Sequence, residues 1–170
     1  MTPLQTIAMG LVLTIADADL GGYDTLPDVL GWVLVILGLR GLRDVVHVST
    51  LVALAVLAGL VSLLLLRFEW VAALPESTGW ILSLAQFAFS AALCSEVSRL
   101  VGASLARRLR VLRWVFVAAA SGGAFLYGGG VEALLVPLAV LTVVANVYLV
   151  YLLFRASAEV HGPVTARGGR

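Results

Sequence analysis

The run from Leu51 to Leu66, LVALAVLAGLVSLLLL, carries no charged side chain and no period-two alternation. A membrane barrel strand alternates lipid-facing and lumen-facing residues, so this stretch reads as a helix. In lipid, every backbone N–H and C=O must find a partner within its own segment or in a closed barrel, which leaves the helix as the solution here. The same character extends outward along the chain. Six apolar segments are predicted: Pro3 to Leu20, Pro27 to Leu42, Ser49 to Leu66, Thr78 to Val101, Trp114 to Gly130 and Glu132 to Phe154. The expected fold class is therefore all-α, an integral membrane bundle of six transmembrane helices.

Composition agrees. The 170 residues are 61% hydrophobic and 12% charged, with a mean hydropathy of +1.06. Soluble domains are about half apolar and a quarter charged. Each crossing of a hydrocarbon layer takes about 20 helical residues, so six crossings use nearly the whole chain and leave no room for a soluble domain. Residues 1–155 are expected to form the membrane domain. Residues 156–170, with Gly162, Pro163, Gly168 and Gly169, read as a disordered cytoplasmic tail.

The scarce charges set the orientation. All eleven basic residues are arginine, and ten fall in three places. Arg40 and Arg43 follow the second segment; Arg99, Arg107, Arg108, Arg110 and Arg113 follow the fourth; Arg155, Arg167 and Arg170 follow the sixth. The alternate linkers are acidic, with Asp17, Asp19, Asp24 and Asp28, then Glu69 and Glu76, then Glu132, and Arg67 as the one basic exception. The positive-inside rule places the arginine-rich side and both termini in the cytoplasm. Aromatic residues are expected to gather at the two interfaces, with Tyr23, Trp32, Phe68, Trp70, Trp80 and Tyr127 outside and Trp114, Tyr151 and Phe154 inside. The expected location is the bacterial cytoplasmic membrane. Ala16-Asp17-Ala18 resembles a signal-peptidase site, but no Lys or Arg precedes the first apolar run, so the segment is expected to be retained.

Between the first two segments, Thr25 and Asp28 have capping-box spacing and Pro27 falls in the first helical turn. This describes a well-capped helical hairpin. Its four aspartates, Asp17, Asp19, Asp24 and Asp28, also make a candidate outward acidic rim. They lack the spacing and glycine of a calcium-binding loop. The run Asp24-Thr25-Leu26-Pro27-Asp28, with Gly31 and Gly38-Leu39-Arg40 beyond it, resembles a pattern in small uncharacterised bacterial polytopic membrane proteins. In them an Asp-x-Leu-Pro-Asp hairpin joins the first two helices. The resemblance covers those two segments and implies no activity.

Polar residues inside membrane segments usually face the bundle interior or a cavity. Ser83, Gln86, Ser90 and Cys94 recur at helical spacing in the fourth segment. Thr6, Gly10, Thr14 and Asp17 form a second seam, and Thr142 and Asn146 add to it from the sixth. Gln86, Ser90 and Asn146 are thus the candidate buried polar seam. Such a seam lines a solute path or supplies interhelical hydrogen bonds, which average about 0.6 kcal/mol in measured membrane cases. The fifth segment, Ala118 to Ala124, is rich in small residues, and Ala119, Gly122 and Gly123 form a candidate close-packing surface for another helix. Pro137 is expected to kink the sixth helix.

Val97 to Arg113 has leucines and valines at helical spacing among arginines and reads as an interfacial helix or as topology-setting charge. Arg107, Arg108, Arg110 and Arg113 are candidate contacts for anionic lipid headgroups. The single cysteine, Cys94, excludes an intrachain disulfide and a cysteine metal cluster. No serine-hydrolase elbow, zinc-protease helix or phosphate loop is found, so no catalytic residue, metal site or cofactor is expected and an enzyme is the least supported class. The partners expected are the bilayer, anionic headgroups, and a second copy or a membrane protein; nucleic acid is not. Two functions stand: a small accessory or scaffold protein acting through helix packing, or a solute-binding transport component. The latter resembles the six-helix substrate-binding subunits of energy-coupling-factor importers in size and topology.

Overall fold

The computed structural model describes residues 1–15, 27–43, 47–65, 76–129 and 134–161. Within them the chain forms six α-helices: α1 (Pro3–Ile15), α2 (Pro27–Arg40), α3 (Val48–Leu65), α4 (Glu76–Val97), α5 (Ala103–Gly129) and α6 (Leu135–His161). No strand occurs among the described residues. Each helix packs on the next in chain order, and α6 returns to α1, so the contacts close into a ring. Among the described residues, α4 and α6 are the one further pair that touches across it, and only marginally.

The most extensive contact joins α1 to α2, and glycine makes it possible. A Cβ placed on Gly10 would stand 2.5 Å from the Gly31 carbonyl oxygen, and one on Gly31 would stand 2.6 Å from that of Gly10. The two backbones therefore meet directly, as small residues allow between membrane helices. Gly38, seven residues beyond Gly31, receives Ile7 and the Pro3 carbonyl in the same way. Thus the glycines that carry the hairpin resemblance are packing positions.

The ring is filled by Leu4, Ile7 and Leu11 of α1, Val35 and Leu39 of α2, Phe89 and Leu93 of α4, Leu109 and Phe116 of α5, and Leu149 and Leu152 of α6. Trp32 lies among them. Its ring meets Phe89 edge-on at a centroid distance of 5.2 Å, its indole N–H donates to Ser62 Oγ at 3.1 Å, and Gly59 makes room for it on α3. The expectation of an interfacial Trp32 is corrected: a tryptophan whose N–H finds a partner can be buried whole.

The outer faces are apolar too. Leu30, Val33 and Leu37 on α2, Leu57, Leu60 and Leu64 on α3, and Val136, Val140, Val144 and Val147 on α6 are all exposed. Among the described residues, two helices are long and apolar enough to cross a membrane, over Thr78–Val97 and Val136–Val160. Their most apolar windows are only 33% and 28% buried. The core helix of a soluble protein is mostly enclosed, so an apolar helix with this much exposed surface suits lipid.

Helix ends depart from the sequence expectation in three places. The arginine-rich linker is the beginning of α5 itself, because nothing between Ala103 and Gly129 breaks the helix. Leu105, Leu109 and Leu112 are buried in line with Phe116, so these turns pack in the bundle rather than lying flat on an interface. Pro137 falls in the first turn of α6, where its missing N–H costs no helical bond, so it marks a helix start and not a kink. At its other end α6 continues through Ala156 to His161.

That extension is tied down. Thr2 and Gln5 form a reciprocal cap at the start of α1: Thr2 N–H donates to Gln5 Oε1 at 3.0 Å, and Gln5 N–H to Thr2 Oγ1 at 3.3 Å. Thr2 Oγ1 also bonds Ser157 Oγ at 2.6 Å. Gly102 N–H, ahead of α5, donates to Glu159 Oε2 at 3.2 Å. These bonds gather the start of α1, the α4–α5 turn and the end of α6 at one pole, the arginine pole.

Candidate functional site

Toward the opposite pole the ring opens sideways. Because α4 and α6 barely touch, a cleft of about 600 Å³ lies between them above α5. Gly79, Trp80, Ser83 and Phe87 line it from α4, Ala119 and Gly123 from α5, and Leu138, Ala139, Thr142 and Val143 from α6. Its walls are mainly apolar, with two hydroxyls. Ser83 Oγ donates to the Trp80 carbonyl at 2.7 Å, and Thr142 Oγ1 to the Leu138 carbonyl at 2.9 Å. Each donor is thereby used within its own helix, while the oxygen lone pairs still have capacity to accept from an incoming group.

The small residues of α5 explain the cleft's depth. The Trp80 indole lies directly on Gly123, in the volume that a Cβ would occupy. Gly122 faces Leu138 of α6, whose methyl carbons stand 3.6 and 3.7 Å from where its Cβ would be. Ala119 is buried. The candidate packing surface Ala119, Gly122 and Gly123 is thus engaged by α4 and α6 of the same chain, with Ala119 and Gly123 also forming the cleft floor. Sequence reasoning placed Trp80 in an interfacial belt; its partner Gly123 lies on another helix, out of reach of any local pattern.

Among the described residues no hydrogen bond joins the members of the polar seam to one another. Asn146 is buried, and its Nδ2 donates to the Thr142 carbonyl of its own helix at 2.9 Å. Ser90 is wholly enclosed on α4, and its hydroxyl has no hydrogen-bond partner among the described residues. Gln86, one turn away, is half-buried and also makes no hydrogen bond with them. Of the acidic rim, Asp28 sits half-buried in the first turn of α2, whereas Asp17, Asp19 and Asp24 lie outside the described residues. No group of three or more potential metal ligands occurs among the described residues.

The arginines separate into distinct settings. Arg107 and Arg108 line an outer groove between α5 and α6, and Arg110 is exposed elsewhere. Arg113 lies 5.5 Å from the Trp114 ring centroid and lines a small recess of about 340 Å³ whose other polar residues are His47, Thr50, Ser95 and Glu96. Glu96 is already paired, at 3.1 Å, with Arg99. No protein-family model, curated protein or solved structure matches the chain.

Proposed function

We propose that this chain is an integral protein of the bacterial cytoplasmic membrane, crossing it six times with both termini inside. It works as a small accessory or scaffold protein that seats an apolar transmembrane segment of a partner in the α4–α5–α6 cleft. The six-span placement is supported by the apolar outer faces of α2, α3 and α6, combined with arginine gathered at one pole. The docking role rests on one observation: the cleft is open on its outer side, and its lining includes the small residues Gly79, Ala119 and Ala139. Small residues let a second helix approach closely, which is how membrane helices associate without a hydrophobic driving force.

The test is to fill the cleft without disturbing the fold. A Cβ on Gly79 meets nothing within 4 Å, and Ala139 is exposed, so Gly79→Leu with Ala139→Leu is expected to fold. In mild detergent extracts of the native membrane, wild-type protein should run in a complex larger than the double variant's. Equal native mass would remove the docking function.

A second function, solute binding within a transport system, is favoured by the Ser83 and Thr142 hydroxyls and by a volume within the usual range of ligand pockets. It requires the same double variant to lose uptake or ligand-dependent thermal stabilisation at unchanged native mass.

A further inference from the structure

On the flank of α5 and α6, nearer the arginine pole, runs a second groove of about 370 Å³. We propose that it holds one anionic phospholipid of the cytoplasmic leaflet, with Arg107 and Arg108 on the phosphate and an acyl chain along Val111, Val115 and Val144. The assignment rests on the membrane placement proposed above and adds a specific lipid site to it.

Polarity along the groove carries the inference. On α5 the lining begins with Arg107 and Arg108 and continues with Val111, Leu112 and Val115. On α6 it runs through Leu141, Val144 and Ala145 and finishes with Tyr148. The two helices are antiparallel, since Glu159 near the end of α6 bonds Gly102 ahead of α5. The two arginines therefore stand at the pole end of the groove, and Val115, Leu141 and Val144 lie toward the middle of the bundle. A phospholipid has the same division, and the lining from Arg107 to Val115 spans about 12 Å of helix.

Charge makes the headgroup anionic. Neither Arg107 nor Arg108 has a salt-bridge partner among the described residues, whereas Arg99 is taken by Glu96. Two adjacent uncompensated guanidiniums at the headgroup level suit a phosphate, which arginine binds bidentately. Tyr148, stacked with Tyr151 at a centroid distance of 6.1 Å, also lines the groove from α6. Arg110 and Arg113 face elsewhere, so they serve as internal controls.

The experiment measures thermal stability of the full chain in detergent micelles with added phosphatidylglycerol, phosphatidylcholine or inorganic phosphate. Phosphatidylglycerol should raise the melting temperature by several degrees, and the other two should not. Arg107→Gln with Arg108→Gln should abolish the rise, and Val144→Trp, which fills the groove at an exposed position, should do the same. Arg110→Gln should keep it. An equal rise in the Arg107/Arg108 variant, or its loss in Arg110→Gln, would overturn the site in favour of diffuse charge attraction. A rise with phosphate alone would overturn the lipid as occupant. If the chain fails to sediment with membranes, the membrane placement falls first; if it sediments and the variants behave as wild type, only the lipid site falls.

Discussion

Gly10 and Gly31 meet backbone to backbone, each standing where the other's Cβ would collide with a carbonyl oxygen. The α1–α2 hairpin depends on that approach. Gly10→Ala is expected to destabilise the protein by roughly 1–3 kcal/mol, as overpacking does, despite the better helix propensity of alanine. Gly79→Ala, in open space, is expected to be neutral or stabilising by up to about 1 kcal/mol. Thermal melts in detergent of the two variants should move in opposite directions or, for Gly79, not at all.

Thr2 holds two positions at once, the cap of α1 and the bond to Ser157. Thr2→Ala should cost about 0.5–2 kcal/mol through the lost cap. Ser157→Ala leaves the cap in place and should cost less. Because Thr2→Ala removes both the cap and the bond to Ser157, a serine variant more damaging than the threonine variant would contradict the expectation.

Ser90 offers a test of the buried seam. Enclosing a hydroxyl with no partner costs roughly 1–3 kcal/mol, so Ser90→Ala is expected to preserve or raise the melting temperature. Ser90→Leu should destabilise the protein by about 1–3 kcal/mol and lower the melting temperature, because the site is already filled. Marked destabilisation by alanine would mean that the hydroxyl has a partner after all.

At the centre of the ring, Phe89→Ala should cost about 3–5 kcal/mol, since it opens a cavity beside Trp32. Trp32→Phe removes the bond to Ser62 and part of the ring contact and should cost less. Near-ultraviolet circular dichroism would report the change in the tryptophan's surroundings in both variants.

The helical class was legible in the sequence because Leu51 to Leu66 and its counterparts admit no other backbone solution in lipid. Helix ends were less so. Arginine at 107, 108, 110 and 113 resembles a linker, yet polar residues continue a helix readily when Leu105, Leu109 and Leu112 bury its other face. Pro137 read as a kink only because the helix was taken to start at Glu132. Trp32 and Trp80 illustrate a deeper limit. An aromatic near a helix end fits an interface as well as a core, and here the choice is made by Gly59 and Gly123 on other helices. Likewise the cleft was foreshadowed by Ala119 and Gly123, by Ser83 and by Thr142, but their convergence required the ring closure that brings α4, α5 and α6 together.

The central claim, a six-span bundle with the arginine pole inside, is tested most directly by labelling single cysteines with a membrane-impermeant maleimide. In a Cys94→Ala background, Asp24→Cys and Glu132→Cys should label on intact spheroplasts. Arg43→Cys and Arg99→Cys should label only after lysis, with all four proteins resisting carbonate extraction from membranes. Labelling of Arg43→Cys or Arg99→Cys from outside, or release of the protein by carbonate, would rule out a six-span bundle with its arginine pole inside.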